Sequence, residues 1–411
     1  MKTVDVAIIG AGVVGLSIAY ALAQNTDLTI AVFDKGGPGH GTSGRSAGVI
    51  CRHDHGAEYQ RLSLIGHARM KEFEADHGFA FNAWGVLNVV RQPGVFPPDD
   101  PMAAALGQVP SAMYDIEVLT RDQVLSRFPW IAPAGVLGGV FEPRNGFINA
   151  FELIDLYRRL LAAFPTVSVD YGNAVLAMSR KGGRIDRVIT RRGQYGAGLV
   201  INASGAWANK VCALVDTRVR ITPQRMNVMV AVAQDDDLPD LPLHGAPGLT
   251  WQGDGVWCRG ETGGTALFGQ HRDKLDATQP IADPDFYDNL PDRGFGDGVR
   301  TCLDQYYRLP AQLVLDGWTC VYDVTDDGYP IIGYDGSVPN LIHAVGMNGH
   351  GMTIHAGVAR CTTALVTTGA TKIDISDVMG RPEMLDFAHL DPGRFDAGKA
   401  LTLYGTGVEG Q

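Results

Sequence analysis

The stretch VDVAIIGAGVVGLSIAYALAQNTDLTIAVFD, residues 4–34, decides the fold. An apolar run at 4–9 precedes a turn with three glycines, an apolar segment at 16–24 and a second apolar run at 28–33. This order predicts a strand, a glycine-rich turn, a helix and a second, parallel strand. Asp34 follows the second strand directly. The stretch therefore predicts a Rossmann-like domain that binds a dinucleotide.

Each glycine of the turn has its own role. Gly10 permits the tight turn, Gly12 lets the backbone approach a pyrophosphate, and Gly15 lets the helix pack closely on the sheet. The same residues would also suit a βαβ unit without a ligand. A membrane helix over residues 6–23 is disfavoured, because three glycines interrupt it and no basic flank precedes it.

The start of the helix and the end of the second strand complete the motif. Val13 and Val14 follow the turn, where the N–H groups and partial positive charge of a helix N-terminus attract phosphates. Asp34 stands about 20 residues later, where a carboxylate accepts hydrogen bonds from both ribose hydroxyls. Lys35 follows it at the same edge.

Length and composition restrict the class of protein. A chain of 411 residues is too long for one ordinary core and predicts two domains. Hydrophobic residues make up 45% and charged residues 19%, as in soluble globular proteins. The net charge of −11 and the lack of a basic run disfavour a nucleic-acid partner.

The six cysteines are scattered without C-x-x-C spacing, which argues against a metal site or a disulfide framework. The sequence enters its first strand directly and leaves no room for a signal peptide. These two features predict a cytoplasmic protein without a transmembrane segment.

Three later stretches repeat the pattern of small residues beside a strand. Residues 36–52 are rich in Gly, Ser and Thr, and Thr42, Ser43 and Arg45 offer hydroxyls and charge to a phosphate. The alternative for this segment is a solvent-exposed loop. Strands predicted at 198–203 and 341–346 also run into small-residue turns, and the second turn opens a helix.

Residues 221–269 alternate between short strands and turns, which predicts an antiparallel sheet in a second domain.

In this order, the motifs resemble the D-amino-acid oxidase-like superfamily of FAD-dependent oxidoreductases, nearest to its sarcosine and glycine oxidase and amino-acid dehydrogenase branch. The segments that carry the resemblance are 8–15 with Asp34, 42–52, 201–207, 322–333 and 346–352. It implies FAD rather than NAD. It also implies an α/β fold (α+β overall), a Rossmann-like FAD-binding domain with an inserted antiparallel-sheet substrate domain. The implied FAD-binding domain consists of residues 1–82, 146–218 and 318–411. The implied substrate-binding domain consists of residues 83–145 and 219–317.

The resemblance also implies which residues bind the cofactor. The pyrophosphate and adenosine would contact Gly10, Gly12, Val13, Val14, Gly15, Asp34 and Lys35. Ser43, Gly44 and Arg45 would lie near the pyrophosphate and flavin, Val175 on the adenine side, and Ala203, Gly205 and Trp207 along the nucleotide. Gly349, His350, Gly351, Met352 and Thr353 would lie at the pyrimidine end of the flavin. A helix N-terminus there would stabilise the negative charge of reduced flavin.

The substrate side rests on fewer residues. Arg52 matches an arginine that holds the substrate carboxylate in sarcosine oxidase-like members. The planar guanidinium group suits this role because it can donate two parallel hydrogen bonds to a carboxylate. Arg259 is a second candidate. His53, with its neighbours His55 and Tyr59, would face the same cavity, and His350 completes the set of candidate catalytic residues. The alternatives are a structural ion pair for the arginine and structural histidines.

Three positions depart from the family pattern. Leu267 stands where those members have a lysine that promotes reaction with oxygen, and Lys274 lies at a different place. This favours a dehydrogenase with another electron acceptor over an oxidase. Thr353 replaces a lysine that helps bind the carboxylate. Cys320 falls where some members attach FAD through a thioether; the alternative is a small buried residue.

The favoured function is FAD-dependent oxidation of the C–N bond of an amino acid or secondary amine by hydride transfer to flavin N5. The partners are then this small molecule and oxygen or another electron acceptor. The alternatives are a 2-hydroxy-acid dehydrogenase, an electron-transferring flavoprotein subunit of a larger complex, and a NAD-dependent dehydrogenase.

Overall fold

The computed structural model describes residues 1–51, 57–91, 117–233, 248–251, 256–261, 265–270, 279–291, 293–308 and 313–396. The helices are α1 (Val13–Asn25), α2 (Ala57–His77), α3 (Arg121–Arg127), α4 (Ala150–Leu161), α5 (Ala208–Ala213), α6 (Arg293–Tyr306), α7 (Gly351–Thr368) and α8 (Ser376–Met379). The strands are β1 (Lys2–Ile9), β2 (Ile30–Phe33), β3 (Val49–Ile50), β4 (Val86–Val90), β5 (Glu117–Thr120), β6 (Gly138–Glu142), β7 (Gly146–Phe147), β8 (Val167–Asp170), β9 (Val175–Lys181), β10 (Arg184–Thr190), β11 (Gly193–Asn202), β12 (Ile221–Ala233), β13 (Gly248–Trp251), β14 (Val256–Glu261), β15 (Thr265–Gln270), β16 (Gln279–Pro280), β17 (Leu313–Thr325), β18 (Ile331–Tyr334), β19 (Leu341–Val345), β20 (Lys372–Asp374) and β21 (Met384–Asp386).

The first sheet has the strand order β18-β19-β11-β1-β2-β8. Its strands run parallel from β19 to β8, and β18 is antiparallel to β19. Helices α1, α2, α4 and α7 share a hydrophobic core with one face, and the β9–β10 hairpin and α5 pack on the other. Because both faces are covered, β2 is buried along its whole length.

The carboxyl ends of four parallel strands meet at one edge of this sheet. Gly10 follows β1, Asp34 follows β2, Ala203 follows β11 and Gly346 follows β19. In open α/β sheets, ligands bind outside this edge. The topology therefore brings four segments, far apart in sequence, to one place.

The second sheet has the order β16-β12-β15-β14-β13-β4-β6-β5, with β17 beside β12. Helices α3 and α6 cover one face, where Val124, Phe128, Val299 and Leu303 share a core. The opposite face contacts the loop after β2, where the Trp318 indole N–H donates to the carbonyl oxygen of Arg45 at 2.9 Å. This contact fixes the second sheet over the carboxyl edge of the first.

The predicted fold class is confirmed, with one difference in the second sheet. Strands β4 and β13 are parallel, although the sequence predicts an antiparallel sheet. They lie more than 150 residues apart in the sequence, so no tight hairpin connects them and sets an antiparallel direction. The predicted domain boundary at residue 318 falls inside β17, which pairs with β12 along its whole length. The domain ranges themselves stay a prediction.

Candidate active site

The glycines of the turn between β1 and α1 stand at positions with no room for a side chain. Gly10 has a φ of +110° and lies against the backbone of Ala203. A Cβ at Gly15 would clash with the carbonyl oxygen of Gly10. The turn is therefore held tightly against the end of β11, as the packing role of these glycines requires.

Asp34 closes this turn from the end of β2. Its Oδ2 accepts from the Ala11 N–H at 2.8 Å, and its Oδ1 accepts from the Gly36 N–H at 2.8 Å. A carboxylate has about four acceptor sites, so lone pairs remain for ribose hydroxyls. The acid thus fixes the turn and faces the same cavity as the turn.

The loop after β2 supports the start of α1. The Val13 N–H donates to Ser43 Oγ at 3.1 Å, and the Thr42 hydroxyl donates to the carbonyl oxygen of Val321 at 2.5 Å. The N-cap residue of α1 is Gly12, which has no side chain that could cap the helix itself. The N-terminus of this helix is thus shaped to receive an anion.

The turn after β19 opens helix α7 and is tied to the second sheet. Asp323 on β17 accepts through Oδ2 from the Gly346 N–H at 2.7 Å and the Met347 N–H at 3.1 Å. The Asn348 side-chain oxygen accepts from the Thr325 N–H at 2.9 Å. These bonds hold the turn rigidly, so the first N–H groups of α7 keep a fixed direction.

These segments enclose one cavity, here called the central cavity. Of the predicted cofactor residues, its wall includes Gly10, Gly12, Val13, Val14, Asp34, Lys35, Ser43, Val175, Ala203, Gly205, Trp207, Gly349, Gly351 and Met352. The structure therefore brings together residues that the sequence places up to several hundred positions apart.

Five predicted residues lie behind this wall rather than in it: Gly15, Gly44, Arg45, His350 and Thr353. The Arg45 side chain donates to the carbonyl oxygen of His40 at 2.5 Å, and the Thr353 hydroxyl donates to that of Val49 at 3.1 Å. The His350 ring packs on Tyr59, with ring centroids 5.3 Å apart. These contacts give Arg45, Thr353 and His350 the role of supporting the wall.

Tyr59 also supports the turn from behind. Its hydroxyl donates to the carbonyl oxygen of Gly328 at 2.9 Å and accepts from the Asn348 amide at 3.2 Å. The ring is buried. Tyr59 therefore belongs to the network beneath the turn after β19, and its described contacts do not place it in the central cavity.

Arg259, a predicted catalytic residue, lies on the face of the second sheet that meets the loop after β2. Its Nε donates to the carbonyl oxygen of Ala47, and its other nitrogens bind the Gly260 carbonyl at 2.9 Å and the Glu261 carboxylate at 2.8 Å. The guanidinium also lies 4.2 Å from the centre of the Phe147 ring. These contacts occupy the guanidinium nitrogens that would otherwise bind a substrate carboxylate.

Leu267 stands directly opposite Arg259 in the β14–β15 register and is buried. Cys320 is buried on β17, two residues before Tyr322, which lines the central cavity. Burial raises the pKa of the Cys320 thiol to about 12, although Arg45 opposes the shift. The thiol is therefore protonated at neutral pH, and the thioether link stays a prediction.

Arg52, His53, His55 and Lys274 lie outside the described residues. Within the described ranges, no group of three or more His, Cys, Asp or Glu side chains could hold a metal ion. In the same part of the chain, no helix combines the length and apolar character needed to cross a membrane.

Sequence reasoning missed several residues of the central cavity. Tyr322 and Asp323 fall in a segment that carries the family resemblance, so that motif was the available signal. Lys210, Leu214 and Asp285 also line the wall, and no local pattern marks them. They reach the cavity through the tertiary fold alone.

The fold and the cavity together define a dinucleotide-binding oxidoreductase. A model of the FAD-dependent oxidoreductase (DAO) family matches residues 5–365, and the chain belongs to this family. It is 27% identical over 397 residues to a monomeric sarcosine oxidase of Bacillus sp. (strain B-0618), covering 90% of this chain and 94% of that protein. It is 22% identical over 395 residues to a glycine oxidase of Geobacillus kaustophilus, covering 90% and 95%. The solved L-proline dehydrogenase of P. horikoshii shares the fold, with a TM-score of 0.80, 20% identity and coverage of 97% and 99%.

The family depends on FAD, and the described residues fit it. The glycine turn admits a pyrophosphate against bare backbone, and α1 directs its N-terminus at the same point. Asp34 offers a carboxylate to the ribose at the neighbouring strand end. The predictions of an FAD enzyme and of the family are thus confirmed.

Proposed function

We propose that this protein oxidises the C–N bond of an amino acid or secondary amine. When bound, FAD would accept a hydride from the substrate α-carbon at flavin N5, and the released imine would hydrolyse in water. The observation that carries the proposal is the convergence of the glycine turn, the loop at 42–46 and the start of α7 on one cavity. The names of the two curated relatives, a sarcosine oxidase and a glycine oxidase, support an amine substrate.

The chain's own contribution begins at the start of α7. Gly349, Gly351 and Met352 line the cavity, and the helix that begins at Gly351 has no side-chain cap among the described residues. Its N–H groups and partial positive charge would stabilise negative charge at the pyrimidine end of the flavin. The bonds from Asp323 to the preceding turn keep this arrangement in place.

The substrate would bind between the flavin and the second sheet. We propose that Arg52 binds the substrate carboxylate, because it matches the arginine that has this role in sarcosine oxidase-like members. Arg259 would act through the loop after β2, because it binds the Ala47 carbonyl five residues before Arg52. Arg259 is therefore proposed as a positioning residue rather than a catalytic one.

Leu267 favours a dehydrogenase. An apolar side chain at this buried position supplies no cation to stabilise the negative charge that forms when oxygen is reduced. We therefore propose an electron acceptor other than oxygen.

Anaerobic bleaching of the flavin tests the substrate class. Purified holoenzyme is mixed without oxygen with glycine, N-methylglycine, L-proline and glycolate. Bleaching by one of the amines supports the proposal, and bleaching by glycolate alone assigns a 2-hydroxy acid instead. If none of them bleaches a flavin that dithionite does reduce, a subunit that receives electrons from a partner is favoured.

The role of Arg52 has its own test. Replacing Arg52 with Lys keeps the charge and removes the planar fork, so KM should rise about tenfold or more while the flavin stays bound. An unchanged KM would remove Arg52 from the substrate site.

A further inference from the structure

A segment of the second domain reaches the adenosine side of the central cavity. Residues 281–291 follow β16 and precede α6, and Asp285 in this segment lines the cavity beside Lys35 and Trp207. Val175 and Leu214 line the same cavity. The segment thus lies where the resemblance places the adenosine, although it belongs to the second sheet's part of the chain.

Asp285 contacts three side chains of the first domain. Its Oδ1 accepts from the Trp207 indole N–H at 2.7 Å and from Lys35 Nζ, and its Oδ2 accepts from Lys210 Nζ. Lys35 Nζ also lies 4.2 Å from the centre of the Trp207 ring. One carboxylate therefore joins the end of β2, the turn after β11 and helix α5.

A second carboxylate reinforces the contact. Asp283 Oδ1 lies 2.5 Å from Lys210 Nζ. Burial opposes ionisation of Asp285, but hydrogen bonds from Lys210, Lys35 and Trp207 outweigh it and lower its pKa to about 2. Asp285 is thus ionised at neutral pH, and the contact is an ion pair with two ammonium groups.

Both ends of the segment are fixed to the second sheet. Arg225 Nε and the Thr319 hydroxyl both donate to the carbonyl oxygen of Asp288, at 3.1 and 2.6 Å. The Thr319 N–H donates to the Asn289 carbonyl at 3.1 Å, and the Ile281 N–H donates to the Pro223 carbonyl at 3.0 Å. The segment is therefore held to β12 and β17 at both of its ends, and it contacts the first domain through Asp283 and Asp285 between them.

We propose that residues 281–291 form a clasp over the adenosine half of the FAD site, with Asp285 as its cofactor-retaining residue. By holding Lys35 and Trp207 in the cavity wall, Asp285 keeps the adenosine covered. FAD can then leave only after the clasp separates from Lys35, Trp207 and Lys210. This inference rests on the FAD site and not on the substrate proposed above.

The rate of FAD release tests the clasp. All proteins carry Cys320→Ser, so that FAD is exchangeable whether or not the thiol forms a link. Asp285→Ala removes every contact of the carboxylate, whereas Asp285→Asn removes the charge and the acceptor for Lys210 but keeps one oxygen for Trp207 and Lys35. The matched control is Asp377→Asn, which breaks an exposed pair with Arg360 at 3.0 Å on the surface of α7 and α8. Release is followed as the gain in flavin fluorescence after dilution.

Asp285→Ala should release FAD about tenfold faster than its parent, because several partly exposed charged contacts are lost together. Asp285→Asn should fall between them, Asp285→Glu should restore slow release, and Asp377→Asn should match the parent. About 1 M NaCl should speed release from the parent and leave Asp285→Ala almost unchanged. Equal release from Asp285→Ala and Asp377→Asn, or equal salt effects in all proteins, would overturn the proposal.

Hydrogen exchange provides a second measurement, on the Cys320→Ser parent in which Asp285 is intact. Amides of 281–291 should exchange more slowly with FAD bound than without it, since bound FAD would hold the clasp closed. Exchange that does not respond to FAD would also overturn the proposal. Neither measurement uses a substrate, so a failure here is distinguishable from a failure of the proposed C–N oxidation.

Discussion

Asp323 accepts a hydrogen bond from the N–H of Gly346 at 2.7 Å, which joins the second sheet to the end of β19. The carboxyl group is buried, and one of its oxygens holds two N–H groups of the turn before α7. Burial raises its pKa to about 6, although the N–H groups of Met347 and Gly346 oppose the shift. The group that shapes the turn before α7 is therefore costly to ionise.

This cost predicts a pH dependence of stability. The folded pKa of Asp323 is about 6, against an ordinary value of 3.8. Because the folded value is raised, the stabilisation is present below about pH 4 and is lost as pH rises through about 6. The difference between these two pKa values corresponds to about 3 kcal/mol. Asp323→Asn should thus gain up to that much stability relative to wild type between pH 4 and 7, measured by urea unfolding.

Asp316→Asn is the matched control, since Asp316 lies on the same strand and is exposed. Its stability should follow wild type across the same pH range. A constant difference between Asp323→Asn and wild type would show that Asp323 has an ordinary pKa.

The glycine turn gives a second prediction. A Cβ at Gly15 would clash with the Gly10 carbonyl, whereas a Cβ at Gly336 would meet open space. Gly15→Ala should lose at least about 2 kcal/mol of stability and most of its FAD. Gly336→Ala should keep both. Thermal unfolding and the flavin-to-protein ratio measure the outcome, and a stable, fully loaded Gly15→Ala would contradict the packing.

Arg259 gives a third prediction, which separates positioning from direct binding. Arg259→Met would remove the hydrogen bonds that Arg259 donates to the Glu261 carboxylate and to two backbone carbonyls. Stability should fall by about 2 kcal/mol, which is less than the loss of a fully buried pair because Glu261 is partly exposed. Thermal unfolding checks this. If unfolding is unchanged and only the substrate KM rises sharply, Arg259 holds the substrate itself.

Leu267 gives a fourth prediction. Air admitted to the bleached enzyme should restore the flavin colour slowly. Leu267→Lys should recolour at least about tenfold faster, because an ammonium group would stabilise the charge that develops on oxygen. Leu267→Gln controls for polarity without charge. Fast recolouring of the wild type would identify an oxidase.

The sequence predicted the parts of the site that depend on local pattern. Gly10, Gly12 and Asp34 could be found because a strand, a turn and a helix surround them in a fixed spacing. Asp285 could not, since its partner Lys35 is 250 residues away and no motif connects them. Arg259 was assigned to the substrate from its charge and strand, and only the fold shows that it binds the loop at Ala47. The contacts between the two domains are therefore the part of the structure that the sequence does not predict.

The oxidation of a C–N bond is tested most directly by a single anaerobic turnover with an amine and its matched alcohol. Whichever of glycine, N-methylglycine and L-proline bleaches the flavin fastest is compared with the 2-hydroxy acid of the same carbon skeleton, and the products are counted. We predict that the amine bleaches the flavin and yields one equivalent of oxidised product, found as imine or as carbonyl with free amine, per flavin reduced. Bleaching by the hydroxy acid alone, or bleaching by the amine without such a product, would contradict the account.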